Sequence, residues 1–121
     1  PRAVNGLRFS PDSKKLLGSG WSITLWDVET GQVSKRSTGH IGLFGSLDVS
    51  PDSEYVATIG CMTDTNVYLY SLATGKLKRE MLQHEGCGHA VRFSHDGKYL
   101  VTASEDESIR FYDLHESYPT K

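Results

Sequence analysis

Apolar residues in this chain recur in short alternating runs separated by polar turns. The clearest stretch is His84 to Leu114, where Ala90-Val91-Phe93, Tyr99-Leu100-Val101 and Ile109-Phe111 are set apart by Asp-Gly and Glu-Asp clusters. Runs of that length, rich in Val, Tyr, Phe and Ile, read as strand, hairpin, strand, hairpin, strand. The same pattern predicts strands near 3–9, 15–19, 22–28 and 32–37, then 44–49, 54–60, 66–72 and 76–82, and finally 89–93, 98–103 and 108–113. Almost no helix is expected.

Sliding the last stretch along the chain finds two more copies of it. Phe9-Ser10-Pro11-Asp12 returns as Val49-Ser50-Pro51-Asp52 and as Phe93-Ser94-His95-Asp96, at offsets of 40 and 44 residues. Thr30-Gly31 returns as Thr74-Gly75; each Gly stands nine residues before a histidine, His40 or His84, and each histidine stands nine before Val49 or Phe93. Agreement of several spacings marks a structural repeat. In Ser-Pro-Asp the proline fixes φ and Ser or Asp bonds the backbone, while Gly31 and Gly75 fall where a hairpin needs positive φ. Adjacent apolar residues within single strands (Leu16-Leu17, Val56-Ala57, Leu100-Val101) put apolar groups on both faces of each unit. A four-stranded sheet of about 40 residues cannot bury both faces alone, so the units must stack, and that period and strand number point to propeller blades.

At this point the chain resembles a run of WD repeats. Trp26-Asp27 ends a third strand, Gly39-His40 opens the next unit, and Phe-Ser-Pro-Asp matches the first turn. The resemblance implies an all-β fold of antiparallel four-stranded blades in a partial WD-repeat propeller of about three blades. They divide as 1–38, lacking its preceding strand and histidine, 39–83, and 84–121, with its last strand missing or truncated. It also implies a buried hydrogen-bonded network in each blade. The third would use His84, Thr102, Asp106 and Tyr112, with Tyr in place of Trp. The second would use His40, Thr58 and Tyr70, with Asp64 as the fourth member. In the first blade Gly18 occupies the hydroxyl position and the turn has no Asp, so Trp26 lacks partners and this blade should be the loosest. From Gly18 to Trp26 is eight residues, from Thr58 to Tyr70 twelve and from Thr102 to Tyr112 ten, so length varies in the loop between second and third strands. In the family's architecture that loop shares a face with the Gly-His loop, and loops on a rigid scaffold are where binding differences are placed.

Composition narrows the possible functions. With 13 basic and 15 acidic residues interspersed and a net charge of −2, the chain has no electrostatic footprint for nucleic acid. No apolar run approaches the roughly 20 residues that cross a bilayer, so no membrane partner is expected. The only cysteines, Cys61 and Cys87, read as thiols of a reducing compartment, which favours an intracellular, cytoplasmic or nuclear location.

The expected function is a non-catalytic scaffold or adaptor that binds other proteins through its loop face, with no cofactor and no metal. Trp21, Leu43, Met62, Glu85 and Glu105 are the candidate partner-binding residues; for Trp21 and Met62, packing beneath loops is an equal alternative. A rival reading builds a metal-dependent or hydrolytic site from Cys61, His84, Cys87 and His89, although His-x-x-Cys-x-His is not a common zinc spacing. Asp106 beside His84, with Ser104 near in sequence, would be its acid–base set, but no strained Gly-x-Ser-x-Gly turn surrounds that serine. Uncovered end faces imply either the remainder of a longer propeller or a head-to-tail homodimer.

Overall fold

The computed structural model describes residues 6–19, 23–37, 44–61, 65–81 and 84–114. They form eleven antiparallel strands in three sheets and, among them, no helix. The first sheet is β1 (Gly6–Phe9), β2 (Lys15–Ser19), β3 (Ile23–Asp27) and β4 (Val33–Ser37). The second is β5 (Phe44–Val49), β6 (Tyr55–Gly60), β7 (Val67–Ser71) and β8 (Leu77–Met81). The third holds β9 (Gly88–Phe93), β10 (Tyr99–Ser104) and β11 (Ile109–Asp113). Each sheet is a simple meander in chain order. Residues 115–121, where the last strand of the third unit is expected to be missing or truncated, lie outside the described residues, as does the start of the first strand.

The repeated tetrapeptide forms the same turn three times. Ser10 Oγ donates to Asp12 Oδ1 at 2.5 Å, Asp12 Oδ1 accepts from Lys14 N–H, and Ser10 Oγ accepts from Lys15 N–H. Ser50 with Asp52 and Ser94 with Asp96 repeat the set. In each turn the serine hydroxyl is the first cause holding the Asp carboxyl below its ordinary range. Gly31 and Gly75 both have φ of 74°, the left-handed conformation that closes their hairpins.

The sheets stack face to face, because alternation along a strand sends neighbours to opposite sides. Leu17, Ile23 and Leu25 of the first sheet meet Val56, Tyr68 and Tyr70 of the second. The second sheet's other face, Ala57, Ile59, Val67 and Leu69, meets Val91, Leu100 and Tyr112 of the third. Each buried aliphatic side chain contributes about 1.5–3 kcal/mol to this stack. The first strands β1, β5 and β9 lie side by side at its narrow edge. There Asp48 accepts from Phe93 N–H at 2.9 Å and pairs with Arg8 at 3.8 Å, clipping all three together.

Two faces stay open. Phe9 is 61 % exposed beside Leu7 on the outer side of the first sheet, where a trough is lined by Leu7, Phe9, Leu16, Trp26 and Val28. Phe111 is 73 % exposed beside Ile109 and Tyr99 on the outer side of the third.

Candidate functional site

An antiparallel meander sends alternate connections to opposite ends of the stack. The Ser-x-Asp turns occupy one end. The other end carries the β6–β7 connection and the β10–β11 turn, where the copies differ in length, together with the β8–β9 connection.

His84 is the centre of that end. It is fully buried; its Nδ1 lies 3.0 Å from Asp106 Oδ2 and its Nε2 lies 2.6 Å from Thr102 Oγ1. An ionised carboxylate only accepts, so Nδ1 carries the proton and Nε2 accepts from the threonine hydroxyl. Asp106 also accepts from Ser108 Oγ at 2.5 Å and from the backbone N–H groups of Glu85 and Ser108, both at 2.9 Å. These bonds, the serine hydroxyl first, hold the Asp106 carboxyl well below the usual carboxylate range against the opposing effect of desolvation. One acid thus ties the β10–β11 turn to the β8–β9 connection, and His84 carries the tie on to Thr102 of β10. On the other side, Thr65 Oγ1 donates to the His84 carbonyl and the His84 N–H donates to the Thr65 carbonyl, fastening the second sheet's loop to the same histidine.

Ser108 and Thr65 belong to this cluster without having been singled out in the sequence. Asp106-Glu107-Ser108 did carry a signal, an acidic residue two before a hydroxyl in a turn. Thr65 carried none, because its contact crosses between sheets. Tyr112 packs in the core between second and third sheets, opposite Leu100. Thr58 and Tyr70 are buried in the second sheet, on the side facing the first. Their proposed companions His40 and Asp64 lie outside the described residues, as do Trp21, Leu43 and Met62. Trp26 is half-buried and borders the open trough of the first sheet.

One expectation is corrected. Cys61, just after β6, and Cys87, just before β9, are not separate thiols but are joined in a disulfide, with Cα atoms 4.2 Å apart. Their separation of 26 residues hid this pairing, since only stacking brings the two loops to one place. The argument for a reducing compartment from cysteine usage therefore falls.

The metal or hydrolytic alternative fares poorly on the same geometry. Both ring nitrogens of His84 are engaged, the two sulfurs are bonded to each other, and His89 stands exposed with Nε2 3.7 Å from Glu105 Oε2. A histidine with no exposed surface cannot reach a substrate, and Ser104 Oγ is taken up in accepting from Asp106 N–H. Among the described residues no group of three or more His, Cys, Asp or Glu is placed to hold a metal, and no helix is long and apolar enough to cross a membrane. What faces outward here is a polar rim of Glu85, His89 and Glu105, all exposed, over a hydrogen-bonded floor.

Residues 1–27 and 75–113 match the family model described as WD domain, G-beta repeat. Autophagy-related protein 16 of Arabidopsis thaliana is 25 % identical over 104 residues, covering 85 % of this chain and 20 % of that protein. Protein tipD of Dictyostelium discoideum is 26 % identical, covering 99 % of the chain and 19 % of its own length. Nuclear distribution protein nudF of Aspergillus flavus is 26 % identical, covering 98 % and 27 %. The chain thus spans about a fifth to a quarter of the length of these curated relatives. Among solved structures, that of U3-55K superimposes with a TM-score of 0.87 over 94 % of this chain and 37 % of its own, at 17 % identity, which speaks for the fold alone.

Proposed function

The chain belongs to the WD domain, G-beta repeat family, and from that premise we propose that it is a non-catalytic platform binding other proteins through the loop end of its blades. The observation that carries this reading is the rim of Glu85, His89 and Glu105 held over the buried His84–Thr102–Asp106 cluster. A fixed scaffold under exposed polar side chains lowers the ordering cost of binding. Trp21, Leu43 and Met62, which lie outside the described residues, are assigned to the same contact as part of this reading. The repeat divisions 1–38, 39–83 and 84–121 are part of the proposal. So is an intracellular location, which now rests on the family and not on the cysteines.

The test is affinity purification of the intact protein from its own cells, with the partner quantified. The Glu85→Lys, Glu105→Lys variant should retain about tenfold less partner, since reversing charge at an interface rim sets like charges against each other. Glu54→Lys, an exposed residue in a turn at the opposite end, should retain as much as the parent. Equal loss in both variants would refute the assignment of the loop end.

Leu16 pairs with Trp26 in the register in which Val56 pairs with Tyr70 and Leu100 with Tyr112. In the second and third sheets that face is buried on the preceding sheet; in the first it is open. Likewise Val101–Phe111 matches Leu17–Leu25 and Ala57–Leu69, the pairs buried on the following sheet. Each open face is therefore shaped for one more blade, and we assign both to further blades of a longer chain. Expressed alone, the 121 residues should associate with rising concentration in light scattering, and Phe111→Glu should suppress this. A sharp concentration-independent dimer would instead favour a second copy arranged head to tail.

A further inference from the structure

Among the described residues, the β6–β7 connection is fastened to the β8–β9 connection at two points. At its far end Thr65 and His84 exchange two hydrogen bonds; at its near end Cys61 is bonded to Cys87. Cys87 is itself fixed from the third sheet, because its carbonyl accepts from Glu105 N–H at 2.9 Å. The disulfide therefore joins the second sheet's variable loop to the segments that present Glu85, Glu105 and, at the start of β9, His89. Both cysteines are half-buried and neither is sealed in the core.

We propose that Cys61–Cys87 is a thiol–disulfide exchange site that clasps the second sheet to the third at the loop end, with a small-molecule or protein-borne dithiol as its reducing reagent. A thiolate of the reagent attacks one sulfur, giving a mixed disulfide, and the released cysteine thiolate takes a proton. The reagent's second thiolate then displaces the other cysteine and leaves as a disulfide. The reagent loses two electrons and the protein disulfide gains them; an oxidised dithiol or glutathione disulfide reverses the step. Opening is local. His84 keeps Thr102 and Asp106, so the third sheet stays closed, while among the described residues the β6–β7 connection stays fastened to the β8–β9 connection by the Thr65–His84 bonds. Loss of a constraint at one end of a surface loop raises local opening without unfolding the sheets. This inference stands on the loop geometry and does not depend on which partner the loop end binds.

The test uses the intact protein. After treatment with glutathione disulfide, alkylation under denaturing conditions should label neither cysteine, and the two peptides should be found linked; after dithiothreitol each should take one label. Amide exchange in the reduced form should then quicken about tenfold or more at 65–66 and 84–90, with the Ser10–Lys15 and Ser50–Tyr55 turns unchanged. The Cys61→Ser, Cys87→Ser variant should match the reduced form and ignore dithiothreitol. Labelling before reductant, cysteines linked to other chains, equal exchange in the two states, or protection lost in all three sheets would each overturn the proposal.

Discussion

Truncating His84 to Ala should lower unfolding free energy by about 3 kcal/mol, since it leaves a cavity and strands the buried Thr102 hydroxyl without its acceptor. His84 has no exposed surface and Thr102 is 1 % exposed, so water cannot replace the lost bond unless it enters the cavity. Urea denaturation reads the change. A loss under 1 kcal/mol, within the ordinary surface range, would mean that the histidine is not a structural centre. The acid arm of the same network has a sign. Because Asp106 titrates below an ordinary carboxyl, its ionised form is favoured in the folded state. That contribution is complete above the unfolded carboxylate range near pH 4 and disappears as pH falls through the lower folded value. Asp106→Asn should therefore be less stable than the parent at neutral pH, and the gap should narrow below pH 4. A gap that does not change with pH would remove the charge from the explanation.

Much of this architecture is legible in the chain because its signals are local and repeated. The strand limits follow from alternation bounded by turns, and each turn advertises itself chemically: Ser50 and Asp52 accept from backbone N–H groups of Tyr55 and Glu54 within the same turn, so the tetrapeptide carries its conformation with it. Gly31 and Gly75 are equally self-contained. The contacts that escaped are those between units. Nothing in the β6–β7 connection says that Thr65 will meet His84, or that Cys61 will meet Cys87, because those distances are set by how one sheet stacks on the next. The same limit explains the cysteine reading, which counted thiols without knowing that stacking pairs them. Asp48 is a third case: it occupies the register position of Arg8 and Arg92, and only the side-by-side arrangement of β1, β5 and β9 turns that charge difference into a clip.

The tightest of these inter-sheet contacts should also be the least tolerant of change. Gly88 opens β9, and a Cβ built there would lie within 2.7 Å of Cγ1, Cδ1 and Cγ2 of Ile59. Ile59 has no exposed surface and branches at Cβ, so two of those carbons move only by turning the whole side chain inside a filled core. Gly88 does not have positive φ, so its requirement is space and not backbone freedom. Two effects of Gly88→Ala then compete. Alanine is favoured in a strand by about 0.5–1 kcal/mol over glycine, whereas overpacking a filled core costs about 1–3 kcal/mol. With three contacts this short, the clash should win, and the variant should unfold at lower urea than the parent. Ile59→Ala alone should cost about 2–5 kcal/mol through the cavity it leaves. Combined, the two changes should cost less than their sum, because the new methyl enters the space that Ile59 vacated; contacting residues commonly couple by about 0.5–3 kcal/mol. Additive costs, or a Gly88→Ala variant as stable as the parent, would show that the second and third sheets are not packed as closely as this contact requires.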